Sequence, residues 1–139
     1  MTDAVLANAV VIGTNDFPHL TRGWHARETD GRCGVAFRAC KGTGALRLAA
    51  PVGAKSVHLL LSGPRGLCQG ALRGTAAVNG TPHELDLDAD LWVMRSFPLS
   101  PAAEVEVELL LNDAPCPDEV LGNGDGRRLG WFLAAAWVE

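Results

Sequence analysis

Apolar and charged residues alternate strictly over residues 104–109, which read Glu-Val-Glu-Val-Glu-Leu. Because successive side chains of a strand point to opposite faces, the alternation predicts a strand with one wet and one buried face. A helix would scatter the three glutamates around its circumference. Leu111 keeps the same phase, and Asn112-Asp113 ends the run.

A second pattern predicts a β-hairpin over residues 76–87. Asn79-Gly80 suits the two positive-φ positions of a type I′ turn, and apolar residues flank it. After the turn, Leu85 and Leu87 alternate with acidic residues, as in a strand with one buried face.

The rest of the chain is broken by frequent Gly and Pro into short apolar segments. Residues 91–97 predict a strand with Leu91, Val93 and the stem of Arg95 on one face and Trp92 and Met94 on the other. Further strands are predicted over residues 4–12, 35–39, 45–49, 56–61 and 128–138. The first and last of these are Ala-rich, so a helix is the alternative there. The last is apolar throughout, as a strand buried on both faces can be.

About eight short strands at roughly 10–12-residue spacing predict an all-β fold of the antiparallel β-sandwich or jelly-roll type, with a barrel as the alternative. The length fits one domain spanning residues 1–139. With 47% hydrophobic and 20% charged residues, the composition is that of a folded domain rather than a disordered segment.

Charge and hydropathy exclude several partners. A net charge of −4 with scattered Lys and Arg argues against nucleic-acid binding, which needs a basic surface. No apolar run approaches the ~20 residues that span a bilayer, and residues 1–13 do not resemble a signal peptide. We therefore expect a cytoplasmic protein without membrane contact. Its four cysteines lack CxxC spacing and are expected to be reduced, buried thiols.

Polar residues gather in two loop-like stretches, 15–28 and 112–128, where a rigid sandwich commonly carries its function. His19, His25 and Glu28 have spacings that occur in metal sites, but surface or turn-stabilising histidines explain them more simply. The segment 123–126, Asn-Gly-Asp-Gly, lacks the further acidic residues of a calcium loop and is explained by turn chemistry. No metal or other cofactor is predicted.

Catalytic groups are not recognisable as a set. Ser62 is not in a G-x-S-x-G elbow. Asp86 and Asp88 share one strand face by simple alternation, and nothing places Asp118 and Glu119 across a cleft from another carboxyl group. We therefore predict that the protein is not an enzyme, with a small enzyme of unknown class as an alternative. A deep pocket with convergent carboxylates or histidines would favour that alternative.

A ligand-binding surface is predicted where the two stretches supply aromatic, basic and acidic side chains. Trp24 lies in a polar stretch and can offer a flat ring, whereas the other three tryptophans are read as core residues. Arginine and carboxylate groups would bond to ligand hydroxyls. The predicted ligand-binding residues are Trp24, His25, Arg27, Glu28, Asp125, Arg127 and Arg128.

A structural network is predicted beside this surface. Asp125 lies between two glycines, where the backbone turns easily and the carboxylate can accept bonds from amides and a guanidinium. Glu119, Asp125 and an arginine, Arg128 or its neighbour Arg127, are expected to hold the loop before the last strand.

The order of several motifs resembles that of β-sandwich accessory domains of bacterial glycosyltransferases and methyltransferases. Residues 117–130 carry a Pro-x-Glu element, a Gly-Asp-x-Arg turn and Leu-Gly before the last strand, and residues 23–28 are similar to an opening Gly-aromatic-x-x-x-Glu element. Residues 78–80, 85–87 and Trp92 resemble the family's central hairpin. Phe37-Arg38 is followed by Ala39-Cys40 where Trp is expected, and the last strand lacks basic residues.

The resemblance implies a non-catalytic accessory or carbohydrate-binding-like module in bacterial glycan or cell-surface polysaccharide metabolism. In that family the chemistry belongs to the attached transferase domain, so no catalytic residue is carried over. Its implied partners are a glycan, or a glycosyltransferase or methyltransferase. The alternative is a protein–protein assembly module that recruits such a transferase, which a flat apolar patch would favour.

Overall fold

The computed structural model describes residues 5–88 and 91–139, and strands dominate it. Between the strands lie the short helices α1 (Asp16–His19) and α2 (Pro117–Leu121) and a 3₁₀ turn at Arg65–Leu67. The strands are β1 (Ala9–Val11), β2 (Leu20–Trp24), β3 (Glu28–Thr29), β4 (Ala36–Ala49), β5 (Ser56–Ser62), β6 (Leu72–Val78), β7 (Thr81–Leu87), β8 (Val93–Pro98), β9 (Glu104–Leu111) and β10 (Phe132–Val138). The all-β prediction is confirmed.

The strands form two layers in which every pair of neighbours is antiparallel. One layer has the order β7-β6-β9-β4-β2, and the other has the order β8-β5-β10-β1. Side chains from both layers meet in one apolar cluster that includes Val10, Leu59, Leu85 and Val107. The molecule is therefore a sandwich of two sheets rather than a barrel.

The long strand β4 belongs to both layers. Its first part pairs with β10 and β3, and its second part, Thr43 to Ala49, pairs with β9. Gly42, between the two parts, has a φ of 101°, a conformation that side-chain-bearing residues rarely adopt. The sequence predicted two strands here, residues 35–39 and 45–49, because glycines interrupt the apolar pattern.

The alternation in β9 is confirmed. Val105, Val107 and Leu109 are fully buried, while Glu104 and Glu106 are exposed. Opposite them, Trp131 is fully buried and its Nε1 donates a hydrogen bond of 2.8 Å to the carbonyl oxygen of Leu110. The apolar face of β9 is thus a principal wall of the core.

The predicted hairpin is also confirmed. Strands β6 and β7 pair from Val78 and Thr81 outward, and the turn residues Asn79 and Gly80 have φ values of 47° and 85°. Two successive positive φ angles are what a type I′ turn requires.

Strands β1, β5, β8 and β10 match their predictions with shifted ends, whereas the stretch 15–28, read from the sequence as a loop, holds α1 and β2 and ends at the start of β3. The last segment is a strand, so the helix alternative is wrong there, but it begins at Phe132 rather than at residue 128. Strand β1 covers three residues of the predicted 4–12, whose first residue lies outside the described part of the chain. Strand β8 begins at Val93, and Leu91 precedes it as an exposed residue.

The two outer faces of the sandwich differ in chemistry. On the layer that contains β9, the outer face carries glutamates, with ion pairs between Arg22 and Glu108 and between Arg47 and Glu104. On the layer that contains β10, the outward positions include Leu60, Met94 and other apolar side chains. The outward side chains described on the second face are thus largely apolar.

Candidate functional site

Arg127 binds two carboxylates where the loop before β10 meets β3. Its Nε and Nη2 lie 2.9 and 2.8 Å from the two carboxylate oxygens of Asp125, and its Nη1 lies 3.2 Å from Oε2 of Glu28. The backbone amide of Arg127 donates to Asp125 as well, at 3.1 Å. This bidentate geometry fixes the guanidinium and connects the loop to β3.

Local turn chemistry holds Asp125 in place. Helix α2 ends at Leu121, and its C-cap residue is Gly122, whose φ of 64° is the left-handed conformation common after a helix. The amide of Asp125 donates to Oδ1 of Asn123 at 3.0 Å, and the amide of Gly124 donates to Oδ1 of Asp118 at 2.7 Å. Asn123 and Asp118 thus accept hydrogen bonds from backbone amides of their own turn, which is the chemistry expected of Asx residues in a glycine-rich turn.

These contacts shift the acid–base equilibria of the pair. Hydrogen bonds from the Arg127 side chain, and then from its amide, lower the pKa of Asp125 from 3.8 to about 2. The hydrogen bond to Asp125 raises the pKa of Arg127. Both groups are therefore charged at neutral pH, and the site presents a fixed ion pair with Glu28 beside it.

Arg128 forms a second ion pair, separate from that of Arg127. It donates to the two carboxylate oxygens of Glu119 at 3.4 and 3.2 Å and to the carbonyl oxygen of Ala114 at 3.0 Å. The predicted network of Glu119, Asp125 and Arg128 is therefore divided: Asp125 binds Arg127 instead. Neighbouring residues of an extended loop point in opposite directions, so one carboxylate is within reach of each arginine.

His25 links the N-terminal stretch to this loop. Its amide donates to the carbonyl oxygen of Ala39 at 2.9 Å, and its Nε2 lies 2.8 Å from the carbonyl oxygen of Arg128. Since a carbonyl oxygen only accepts, Nε2 carries the proton. Arg38 in turn donates to the carbonyl oxygen of His25 at 3.1 Å and to Asp16 at 2.6 Å. The imidazole thus positions the backbone of the loop.

Trp24 is half-buried and packs against the core. Its Nε1 donates to the carbonyl oxygen of Ala45 at 2.8 Å, and it is the register partner of the fully buried Cys40. The ligand-stacking role predicted for Trp24 stays a prediction, because its ring is largely turned towards the interior.

Arg27 lies apart from the Arg127 pair. It is exposed beside Gly13, and within residues 5–88 and 91–139 no hydrogen bond or ion pair engages it. It lines an open cavity of about 360 Å³ together with Phe17 and Arg38, whose guanidinium carbon is 5.4 Å from the centre of the Phe17 ring. Arg27, one of the seven predicted ligand-binding residues, therefore lines a neighbouring depression rather than contacting the Arg127 pair.

An aromatic cluster beside Glu28 was not predicted from the sequence. The rings of Phe37 and Phe132 stack with their centres 4.7 Å apart, and Trp92 lies 5.5 Å from Phe37 at an angle of 55°. Nε1 of Trp92 donates to Oδ2 of Asp30 at 2.9 Å. The signal available in the sequence was the aromatic residue at 37, but its partners are brought together only by strand register.

Register places this cluster and the Arg127 pair on one face. Glu28 and Phe37 are direct partners in the β3–β4 pair, so their side chains point to the same side of the sheet. Phe132 is the partner of Ala39, two residues from Phe37, and shares that side as well. Phe37 itself is buried at 8% exposure, while Phe132 and Trp92 are partly exposed, so charged groups adjoin two partly exposed rings on the outer side of the β10 layer.

The other candidate centres are occupied by internal bonds. His19 is buried, accepts a hydrogen bond of 3.0 Å from the Ala7 amide at Nε2, and has Nδ1 at 2.9 Å from the Asn15 carbonyl oxygen. In the described part of the chain, no three His, Cys, Asp or Glu side chains are grouped to hold a metal ion. All four cysteines are free; Cys40 and Cys116 are buried as predicted, but Cys33 is exposed.

A cavity of about 600 Å³ lies beside the Arg128–Glu119 pair and is lined also by Cys68 and Val120. Burial raises the pKa of the Cys68 thiol. No histidine lines this cavity among the described residues, and its Glu119 is bound by Arg128.

Within residues 5–88 and 91–139, no helix has the length and hydropathy to cross a membrane. The cytoplasmic location stays a prediction.

Comparison with known proteins identifies the fold. Neither a protein-family profile nor a curated protein sequence matches this chain. Among solved structures, it is similar to Xyl-CBM35, solved with a glucuronic-acid-containing disaccharide, at a TM-score of 0.59 and 9% identity over 96% of this chain and 93% of that one. A family 35 carbohydrate-binding module from an environmental isolate gives a TM-score of 0.53 at 13% identity, over 94% and 91% of the two chains.

A third similar structure is the exo-β-1,3-galactanase of Phanerochaete chrysosporium, solved with β-1,3-galactotriose. It matches at a TM-score of 0.55 and 13% identity over 97% of this chain, which spans 29% of the length of the galactanase. At these identities the likeness concerns the fold. The chain has the all-β sandwich fold that family 35 carbohydrate-binding modules also have.

Proposed function

We propose that this chain is a non-catalytic carbohydrate-binding module whose binding surface lies around Glu28, Arg127 and Asp125. One observation carries the proposal: a pre-formed arginine–carboxylate group adjoins an aromatic cluster on a single outer face. Sugars expose hydroxyl groups around an apolar ring face, and this pairing of charged hydrogen-bonding groups with flat rings matches that chemistry.

The polar part of the surface is suited to hydroxyl groups. The side chains of Arg127, Glu28 and Asp125 remain 37%, 39% and 28% exposed. Oε2 of Glu28 meets Arg127, and the carboxylate has further acceptor positions for a hydroxyl donor. Because the ion pairs hold these side chains, binding costs little conformational entropy.

The non-catalytic character is supported by what binds the acidic and imidazole groups. Asp125 and Glu119 are each held by an arginine, and His19 and His25 use their ring nitrogens for backbone contacts. Groups held in this way position the chain rather than exchange protons with a substrate. Association with a glycosyltransferase or methyltransferase in bacterial glycan metabolism is the finer part of the proposal, supported by the motif order of residues 117–130.

The test is direct binding of sugars to matched variants. The wild type is titrated calorimetrically with β-1,3-galactotriose, a glucuronic-acid-containing disaccharide and cycloisomaltoheptaose. For a sugar that binds, Glu28→Ala is expected to weaken binding by about tenfold or more, the equivalent of ~1.4 kcal/mol. Glu106→Ala removes an exposed glutamate from the opposite outer face and is expected to leave binding unchanged. Binding to none of the three sugars, or equal binding by Glu28→Ala, contradicts the proposal.

A further inference from the structure

The outer face of the β8-β5-β10-β1 layer is largely apolar. Strand register aligns its outward side chains in rows across the sheet: Met94, Leu60, Ala135 and Val11 form one row. The next row contains Ser96, His58, Trp137 and Ala9. The alternate residues of the same strands, such as Val57, Leu59 and Leu61, are buried in the core, which confirms that these rows point outward.

Aromatic rings lie at both ends of β10 on this face. At one end, Phe132 stacks on Phe37 beside Trp92; at the other, Trp137 stacks on His58 with ring centres 5.3 Å apart. The five residue steps from Phe132 to Trp137 span about 17 Å at the rise of an extended strand. The middle row is aliphatic, with Met94 and Val11 more than half exposed, at 53% and 51%.

Charge is confined to the ends of the face. His58 Nε2 lies 3.1 Å from a carboxylate oxygen of Glu139, but the angle does not make a hydrogen bond. At the opposite end, Glu28 and Arg127 border the aromatic cluster. The aliphatic middle row and Trp137 therefore lie on the same face as the polar groups that the proposed function uses, and lead away from them along β10.

The size of the face argues against a stable protein partner. Three strands of six or seven residues and the three-residue β1, about 4.8 Å apart, cover on the order of 300–400 Å². A stable protein–protein interface buries about 800 Å² on each partner. A face of this area fits a long, narrow ligand better than a second folded chain, and its outward rings suit the apolar faces of sugar units.

We infer that this face extends the sugar site into a platform for an elongated glycan, so that the protein binds chain interiors and its affinity grows with chain length. The inference rests on the proposed function. One end of the bound segment of the glycan contacts Glu28 and Arg127, and successive sugar units lie over Phe132, the Leu60–Ala135 row and Trp137. Short sugars engage only the polar end and its adjoining rings.

The experiment compares chain lengths in matched variants. The probes are linear β-1,3-galacto-oligosaccharides and linear isomalto-oligosaccharides, each from the disaccharide upward. For the wild type, affinity is expected to rise at least tenfold from the shortest bound sugar to the longest. Met94→Glu places a charge in the middle row and is expected to abolish that rise while leaving the shortest sugar bound as before.

The control for Met94→Glu is Leu110→Glu, since Leu110 is an exposed apolar strand residue on the opposite outer face. It is expected to behave as the wild type. Trp137→Ala provides a second variant, and a thermal melt confirms that each variant is folded. Loss of the length effect in Met94→Glu and Trp137→Ala alone supports the platform.

Three results overturn the inference. Affinity that does not change with chain length, or that Met94→Glu leaves intact, disproves the platform while the proposed function stands. Absence of binding to every linear oligosaccharide disproves the platform, and the proposed function fails with it only if the glucuronic-acid-containing disaccharide and cycloisomaltoheptaose do not bind either. A wild-type dimer in sedimentation experiments that Met94→Glu converts to a monomer shows that the face binds a second copy of the chain, and the inference is then wrong.

Discussion

The guanidinium of Arg127 joins two carboxylates from distant parts of the chain, Asp125 and Glu28. Such a contact acts on the fold and on the site together, because it fixes the loop before β10 and shapes the surface offered to a ligand. The loop is otherwise held by backbone hydrogen bonds from Leu129 to Pro115 and from Gly130 to Cys40. The Asp125 carboxylate should therefore contribute to stability in the absence of ligand.

The pKa of Asp125, lowered from 3.8 to about 2, gives that contribution a pH window. A carboxylate with a depressed pKa in the folded state stabilises the protein above its unfolded pKa, and the effect is lost as pH falls through the folded value. We expect Asp125→Asn to lower the melting temperature at pH 7. Between about pH 4 and pH 2, its melting temperature should fall less than that of the wild type.

Asp113→Asn is the matched control, since Asp113 is exposed and its positive φ of 52° also suits asparagine. It should have nearly the pH profile of the wild type. Asp30 also has a lowered pKa, through hydrogen bonds from Arg32 and from Trp92, so part of the acid sensitivity should remain in Asp125→Asn. Identical pH profiles for the wild type and Asp125→Asn would show that the Arg127 pair does not stabilise the fold.

At the residue scale, the sequence indicated some roles well and others poorly. A carboxylate between glycines predicts a turn whose amides and arginine bind it, and Asp125 does this because those partners are two residues away or fewer. Which arginine it binds was not decidable, since that depends on the direction of each side chain. The surroundings of Trp24 were not predictable either, because its polar sequence neighbours gave no sign of the core contact that β4 supplies.

At the scale of elements, the turn between β6 and β7 places a strict demand on the residue type at position 80. Gly80 has a φ of 85°, and no other atom lies within 4 Å of where its Cβ would be. The expected cost of a side chain there is thus conformational rather than steric. We expect Gly80→Val to lower the free energy of unfolding by about 1–3 kcal/mol, measured by urea denaturation.

Gly31→Val is the control for the hairpin. Gly31 also has open space around its Cβ position but lacks a positive φ, so a valine there should cost much less. Equal losses in the two variants would mean that the backbone angle at Gly80 is not the cause.

The elements that could be predicted share a local signal. Strands β7 and β9 alternate visibly, and a two-residue turn determines how β6 and β7 pair. Strand β4 has no such signal: it changes partners near Gly42, and its 14 residues look like two strands in the sequence. The end of β10 at Val138 was predicted but its start was not, because Leu129 and Trp131 are buried without being part of the strand and apolarity alone did not mark where it begins.

At the scale of the whole molecule, the two layers of the sandwich have opposite surface chemistry. The glutamates of β9 and their arginines cover one outer face, and apolar and aromatic side chains cover the other. Periodicity in the sequence predicted a sandwich but not which strands share a layer. The apolar outer face was hidden for that reason: β10 is apolar on both sides, and its outward residues look like core residues until β5, β8 and β1 are placed beside it.

The same arrangement changes which tryptophans are candidates for ligand contact. Trp24 packs against the core and Trp131 is fully buried, whereas Trp92 and Trp137 belong to the aromatic groups at the two ends of the apolar face. The four indole groups therefore report separately on the core and on the outer face, and one titration can compare them.

The most direct test of carbohydrate binding on this face is the NMR response of the four indole N–H signals to a bound oligosaccharide, with each signal assigned by a Trp→Phe variant. If the oligosaccharide binds on the outer face of the β10 layer, the signals of Trp92 and Trp137 shift in proportion to saturation while those of Trp24 and Trp131 stay in place. A shift of the Trp24 signal with those of Trp92 and Trp137 unchanged would place the sugar elsewhere on the sandwich and contradict carbohydrate binding on this face.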